Sequence, residues 1–330
     1  MINSVFLLGA AVLVFVLGYR FYAKFLALAV FRLDPATRTP AQAGVPDAAP
    51  CQRHQLLGHH LAAVAAGTTL AGSAVALVWG WVPAFLWVVV GSVVAAGTYG
   101  LAGLWLGVRH EAASPATQAA RLLGARLRPP FFALVFILLL LLTALFALGA
   151  AQLLDGFPSA VFPFGLQIAL ALALGAGLTQ RLGIGLLPAS AIALALIGLA
   201  LWLLPSLAMD GTLVFSLAGT KLLSIDGVTV WVVVLLVYSY YSARAPLARL
   251  ARPYGYLSAL QLGLALLVLF AGVLWLHPPL AAPAFHVGAG APPLLPWLFL
   301  TNTSGALAGF HALVASGLTP RQVQHETALR

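Results

Sequence analysis

A run such as "PPFFALVFILLLLLTALFALGAAQLL" limits what a chain can fold into more than any other feature of this sequence. Crossing the hydrocarbon core of a bilayer as a helix takes about 20 predominantly apolar residues, and this run supplies them without a charge. Comparable runs recur at 3–18, 57–79, 84–107, 130–150, 159–178, 183–204, 227–243, 256–276 and 295–316. The pattern predicts an all-α polytopic integral membrane protein with about nine transmembrane helices, forming one membrane domain over 1–330. Composition agrees. Hydrophobic residues make up 62% of the chain and charged residues 7%, where a soluble domain carries about 25% charged residues and uses them to cover its surface. The excess apolar surface needs a lipid bilayer as its partner.

The net charge of +9 raises nucleic acid as a partner in a soluble protein. Here it has another cause, because cytoplasmic loops of membrane proteins are rich in Lys and Arg. Under the nine-span division, 15 of the 16 basic residues fall on one side, and only Lys221 falls on the other. That asymmetry predicts an N-terminus outside and a C-terminus in the cytoplasm. The apolar N-terminus has no basic stretch before it; Arg20, Lys24 and Arg32 follow it. It therefore reads as an uncleaved first span, continued by an amphipathic helix through "YRFYAKFLALAVFRL" at the inner surface. The loop 33–56 is expected to be cytoplasmic and Pro-rich, and the loop 277–294 extracytoplasmic and Pro/Gly-rich. The loop 205–226 is expected to hold a short hairpin or a re-entrant piece.

Polarity inside the spans is sparse. All seven acidic residues are expected in loops or tails, and no Lys or Arg sits in the middle of a span. What remains is the pair His59 and His60 in "QLLGHHLAAVAAGTTLAG", and His311 in "TNTSGALAGFH". The first stretch adds Gly67, Thr68 and Thr69, and the second adds Asn302, Thr303 and Ser304. Glycine and hydroxyl clusters of this kind let a helix break and free its backbone groups for a ligand. They also let helices pack closely, and "GALAG" is a small-xxx-small face. "GLAGLWLG", with Gly100, Gly103 and Gly107, reads as packing. The histidines can bond a neighbouring carbonyl, or contact a substrate or proton. A metal or haem would need further ligands, and no ligand pattern accompanies them. Cys51, the single cysteine, can form no internal disulfide, and no zinc spacing exists. No phosphate loop, dinucleotide fingerprint or nucleophile elbow is present, so no enzyme, catalytic residue, metal or cofactor is expected.

Two longer stretches carry a family likeness. "YRFYAKFLALAVFRLDPATRTPA" followed by "LLGHHLAAVA" resembles the N-terminal region of the carbon starvation protein A family. "WLFLTNTSGALAGFHALVASGLTPRQVQHE" resembles a second signature of that family, and "RPYGYLSALQL" a third. The resemblance implies a bacterial inner-membrane protein, a secondary carrier with broken helices, and a peptide or small carboxylate such as pyruvate as substrate. It carries over Gly58, His59, His60, Gly309, Phe310 and His311. Family members are typically about twice as long. Where the family has a proline-containing run after its histidine pair, this chain has "AAGTTLAGS"; where it has a Gln-Asp pair in the next span, this chain has Tyr99 and Gly100. Where it has an Arg-Asp pair in the third signature, this chain has Tyr254 and Gly255, and Ser304 replaces a cysteine in the last. These departures keep a second expectation open: a non-transporting accessory or scaffold subunit, associated with other membrane subunits or with copies of itself.

Overall fold

The computed structural model describes residues 3–65, 72, 74–203, 211, 213–217, 220–286, 292–306 and 309–330, without the side chains of 179–180, 213–217, 220–223, 301–306 and 309–310. Seven helices among them are long and apolar enough to cross a membrane: Ser4–Val30, Trp81–Arg109, Ala125–Gly156, Pro158–Gly175, Leu186–Leu203, Gly227–Arg244 and Ala251–Leu276. They coincide with seven of the nine expected spans. The other two, 57–79 and 295–316, each include residues outside the described set. Their described parts include the helices Arg53–Val64, Leu294–Ala306 and Gly309–Leu313, the last followed by a π-turn at Val314–Leu318.

The protein is a polytopic, helical membrane protein whose helices turn large apolar side chains outward. Leu141 is 64% exposed, Val268 64% and Trp275 85%. Such surfaces are stable only where lipid covers them. Hydroxyls within the helices bond their own backbone one turn back. Ser190 Oγ donates to the Leu186 carbonyl (2.7 Å), Thr143 Oγ1 to Leu139 (2.7 Å) and Ser316 Oγ to Ala312 (2.6 Å). A polar group without water must find such a partner.

Two local features follow the sequence expectation and one boundary departs from it. The first span continues as a helix from Ser4 to Val30, with π-turns at Gly18–Tyr22 and Leu26–Val30, so Arg20 and Lys24 lie on its helical continuation. The stretch 130–150 is part of a helix that reaches Gly156, which places Asp155 in a last turn and not in a loop. "GAAQLLDG" continues the helix with good helix formers, and Pro158, which cannot continue it, follows two residues later. The loop 205–226 contains an antiparallel hairpin, Leu213–Leu217 with Thr220–Ile225, shifted in register between Phe215 and Ser216.

The chain divides into two compact units, Met1–Arg128 with Ala259–Arg330, and Pro129–Ser258. In the first unit, Ala76, Trp79, Ala84 and Leu298 form a buried cluster, and the Trp87 and Phe299 rings meet edge to face at 4.4 Å. Trp79 Nε1 donates to the Pro292 carbonyl at 2.7 Å. In the second unit the buried clusters are Ala151, Leu154, Val161 and Leu235, and Ala171, Ala193, Leu250 and Leu257. Gln167, a buried amide side chain of this unit, donates Nε2 to Ser258 Oγ at 2.8 Å. The helix Gly227–Arg244 starts at an Asp226 cap, whose carboxylate accepts from the Thr229 backbone N–H at 2.9 Å.

Candidate functional site

The three expected histidines all lie in the first unit, on two short helices. His59 and His60 sit near the middle of Arg53–Val64, and His311 is in Gly309–Leu313. The first of these helices stops early: Ala65, its C-cap, has φ −80° and ψ 59°, outside the helical region. The chain therefore leaves the helical conformation at Ala65, where "AAGTTLAGS" begins.

Adjacent residues on a helix point about 100° apart, so the pair cannot serve one face. His59 is 5% exposed, and His60 is half-buried. The ring of His60 meets that of His311 edge to face, with centroids 5.7 Å apart. His311 is 8% exposed and meets the Tyr99 ring at 5.6 Å. The Nδ1 atom of His60 lies 2.8 Å from Thr319 Oγ1, a residue 3% exposed, so either tautomer of the ring has a partner there. Tyr99, His311, His60 and Thr319 thus form a row of polar and aromatic groups where the two short helices meet Trp81–Arg109.

Glycine sets how close these elements come. A Cβ at Gly100 would lie 3.4 Å from His311 Cε1 and 3.5 Å from its Nε2. A Cβ at Gly103 would lie 3.0 Å from Ala315 Cβ, and one at Gly107 would collide with Pro320 and the Ser316 carbonyl. The stripe Gly100, Gly103 and Gly107 is a packing face, as the sequence predicts, and its partner is the segment that carries His311.

Two cavities open beside the row. One, of about 370 Å³, is bounded by Tyr19, Tyr22, Ser92, Gly100, His60 and His311 among others. The other, of about 360 Å³, is bounded by Arg53, Leu56, His60, Thr319, Leu329 and Arg330 among others. Both volumes fall in the range of small-molecule sites, about 300–1,000 Å³. Their walls are mostly apolar. They carry imidazole, phenol, hydroxyl and guanidinium groups, and among the described residues no carboxylate side chain lines either one. Such a set can donate hydrogen bonds to a small anion or carbonyl. It is unsuited to a hard cation, and the described residues hold no group of three His, Cys, Asp or Glu placed to bind a metal.

The pattern that defines the carbon starvation protein CstA family matches residues 3–330. The chain belongs to that family. It is 31% identical over 339 residues to the peptide transporter CstA of Mycobacterium tuberculosis, a match that covers all of this chain and 44% of the relative. It is 30% identical over 352 residues to the pyruvate/proton symporter BtsT of Escherichia coli, covering all of this chain and 46% of the relative. The peptide transporter CstA of Escherichia coli is 29% identical over 336 residues, covering 98% of this chain and 46% of the relative. The chain spans about half the length of the curated relatives it matches. The family is one of transporters and not of enzymes. No solved structure matches the chain.

Of the nine residues singled out in the sequence, the structure brings His60 and His311 together and places His59 on the same short helix as His60. Gly67, Thr68 and Thr69 lie outside the described residues. Asn302, Thr303 and Ser304 are helical in backbone, and their side chains lie outside the described set. Sequence reasoning missed Thr319, treated Tyr99 only as a departure from the family pattern, and read Gly100 as such a departure and as part of a packing face. For these last two the signal was available: the Gln-Asp pair of the family resemblance falls on the two residues that touch His311.

Proposed function

We propose that this CstA-family chain is a secondary carrier for peptides or small carboxylates such as pyruvate, working as one membrane domain over 1–330. Its substrate meets the His60–His311 row, with His59 and the polar runs 67–69 and 302–304 completing the site. One observation carries the reading: two histidines distant in sequence stand with rings 5.7 Å apart beside a cavity of about 370 Å³. The names of the relatives, peptide transporter and pyruvate/proton symporter, supply the substrate classes. With no carboxylate side chain among the described residues that line the cavities, proton coupling is left to imidazole, which can both donate and accept a proton. The chain sits in a bacterial inner membrane with its N-terminus outside and its C-terminus in the cytoplasm, on the strength of the basic-residue asymmetry.

The test is reconstitution of the purified chain in liposomes, with uptake of pyruvate and of di- and tripeptides driven by an inward proton gradient. We expect uptake by the natural sequence and none by H60Q/H311Q. Uptake that survives the double substitution removes the site from the mechanism. Orientation is read separately from single cysteines at exposed positions on a C51S background. An impermeant reagent applied to intact cells should label H286C and spare R38C.

The lack of a carboxylate side chain among the described residues that line the cavities also favours the second reading, a non-transporting accessory subunit. In that case the isolated chain is inert under every gradient. It then co-purifies in mild detergent with other membrane subunits or with further copies of itself.

A further inference from the structure

The walls around His60 differ in strength. The long helices Ser4–Val30 and Trp81–Arg109 and the short helix Arg53–Val64 supply several of them. Another is the irregular segment 323–330, whose one regular element is the single turn Glu326–Leu329. Ala328, Leu329 and Arg330 from this segment line the cavity that holds His60, Arg53 and Thr319, and Leu329 also lines the cavity shared with His311. Its apolar hold is small. Val323 is buried against Cys51 and Leu56, with Ala328 and Leu329 half-buried beside them. The segment is preceded by two backbone bonds to the loop before Arg53, Ala49 N–H to the Arg321 carbonyl (3.1 Å) and Cys51 N–H to the Gln322 carbonyl (3.2 Å).

Charge does most of the fastening. Glu326 is fully buried at 0% exposure. Arg109 donates Nε to its Oε1 at 2.6 Å and Nη2 to its Oε2 at 3.1 Å, and the Asp34 backbone N–H donates to Oε2 at 2.7 Å. Arg109 is held in turn by the Arg32 carbonyl at 3.3 Å and lies over the Trp105 ring at 5.7 Å. One carboxylate therefore ties the segment to the end of a long helix and to the turn at 32–34. A two-pronged, charge-assisted contact is among the stronger polar interactions. Removing Arg109 leaves a fully buried carboxylate without its cation, whereas removing Glu326 returns a partly exposed guanidinium to water. The other side-chain contacts are at the surface: Gln42 Nε2 donates to the Gln324 carbonyl at 3.2 Å, Arg53 Nη2 to the Arg330 carbonyl at 2.8 Å, and Arg330 lies over the Tyr19 ring at 5.4 Å. A wall with few apolar contacts and one buried fastening opens at lower cost than a long transmembrane helix.

We propose that residues 323–330 form a strap that closes the histidine cavities, and that Arg109, Glu326 and the Asp34 N–H are its latch. The inference rests on those cavities being the site proposed above, but its readout needs neither a substrate nor transport. Cys51, the single cysteine, lies under the start of the strap at 7% exposure, with Sγ 4.0 Å from the Gln322 carbonyl oxygen. Its alkylation by iodoacetamide, on the full chain in detergent, reports strap opening. In E326Q the labelling rate should rise at least about tenfold, in keeping with the loss of a two-pronged hydrogen bond to a charged group. R109Q, which leaves Glu326 and its bond from the Asp34 N–H in place and changes a residue whose side chain is 35% exposed, should raise the rate by a similar factor, as expected if the pair and not the local fold sets access. Labelling of E326Q at the natural rate overturns the latch. So does R109Q labelling at the natural rate, which would mean that E326Q acts by unfolding its surroundings.

Discussion

The two units handle polarity in opposite ways. In the first, His59, His311, Thr319, Gln322 and Glu326 are all buried, and Thr319 and Glu326 bond to residues from distant parts of the chain. In the second, the buried polar side chains among the described residues are Gln167 and Ser190. One is satisfied by a single hydroxyl, the other by its own helix. Titratable groups are costly away from water unless something specific faces them. The first unit bears that cost at two imidazoles and a carboxylate, whereas in the second the phenol of Tyr256 is a buried titratable group among the described residues. This concentration, more than any single histidine, is why we propose the first unit as the seat of the chemistry.

The contrast breaks most sharply at glycines that look equivalent in sequence. A Cβ at Gly100 would stand 3.4 Å from the His311 ring, whereas one at Gly165, in Pro158–Gly175, would meet nothing within 4 Å. G100L should drive His311 out of its row and lower uptake at least about tenfold, a loss of about 1.4 kcal/mol from the substrate-bound state. G165L should transport normally. Equal uptake by the two variants would separate the histidine row from transport.

A smaller effect is expected on stability. Gly107 faces the Ser316 carbonyl and the Pro320 ring, and the first of these is backbone that cannot swing aside. G107A should destabilise the protein by about 1–3 kcal/mol, as overpacked sites do. G149A, in the Arg128–Gly156 helix with open space at its Cβ, should be neutral or gain up to about 1 kcal/mol of helix propensity. Unfolding in detergent measures both. A harmless G107A would mean that the seam between Trp81–Arg109 and the His311 segment is loose enough to take up a methyl group.

Much of this architecture is legible in hydropathy alone, because a bilayer forces long apolar runs into helices. The expected spans 84–107 and 227–243 differ by only a few residues from Trp81–Arg109 and Gly227–Arg244. The hairpin in 205–226 and the packing role of Gly103 and Gly107 follow from the same reading. What hydropathy cannot supply is which helices meet. Every span is apolar on all sides, so pairing is decided by small residues and a few polar contacts that leave no periodic trace. Tyr99 therefore looks like any aromatic in a span, and Thr319 like a loop residue beyond the last one. Only the packing of Tyr99 and Gly100 against His311, and the bond from Thr319 to His60, gives them a place in the site. Glu326 was hidden for a similar reason: an acid in a polar tail reads as solvated until Arg109 is found against it.

In the second unit the bond from Gln167 to Ser258 offers a milder test. Hydrogen bonds between helices in membranes average about 0.6 kcal/mol, because the unfolded helices find other partners in lipid. Q167L should therefore cost about that much and leave uptake unchanged. A loss above about 2 kcal/mol, beyond the largest such bonds measured, would show that this unit also depends on polar contacts between helices.

The smallest effect sits at the surface of the same unit. The Asp226 carboxylate caps Gly227–Arg244, and the backbone N–H and hydroxyl of Thr229 hold its pKa below the ordinary carboxylate value of 3.8. A depressed pKa means that the ionised form favours the folded helix start. The contribution is full above the unfolded value and fades as pH falls through the lower, folded one. D226N isolates that dependence, since Asn caps a helix about as well as Asp but does not titrate in this range. Amide exchange at Thr229 should be slower in the natural sequence than in D226N at about pH 6, and the gap should close as pH falls below the ordinary carboxylate range. Because the group is fully exposed, added salt should narrow the gap as well. A gap that is constant with pH would mean that the cap works through geometry alone. A gap that widens in acid would reverse the sign and remove the carboxylate from the account of this helix.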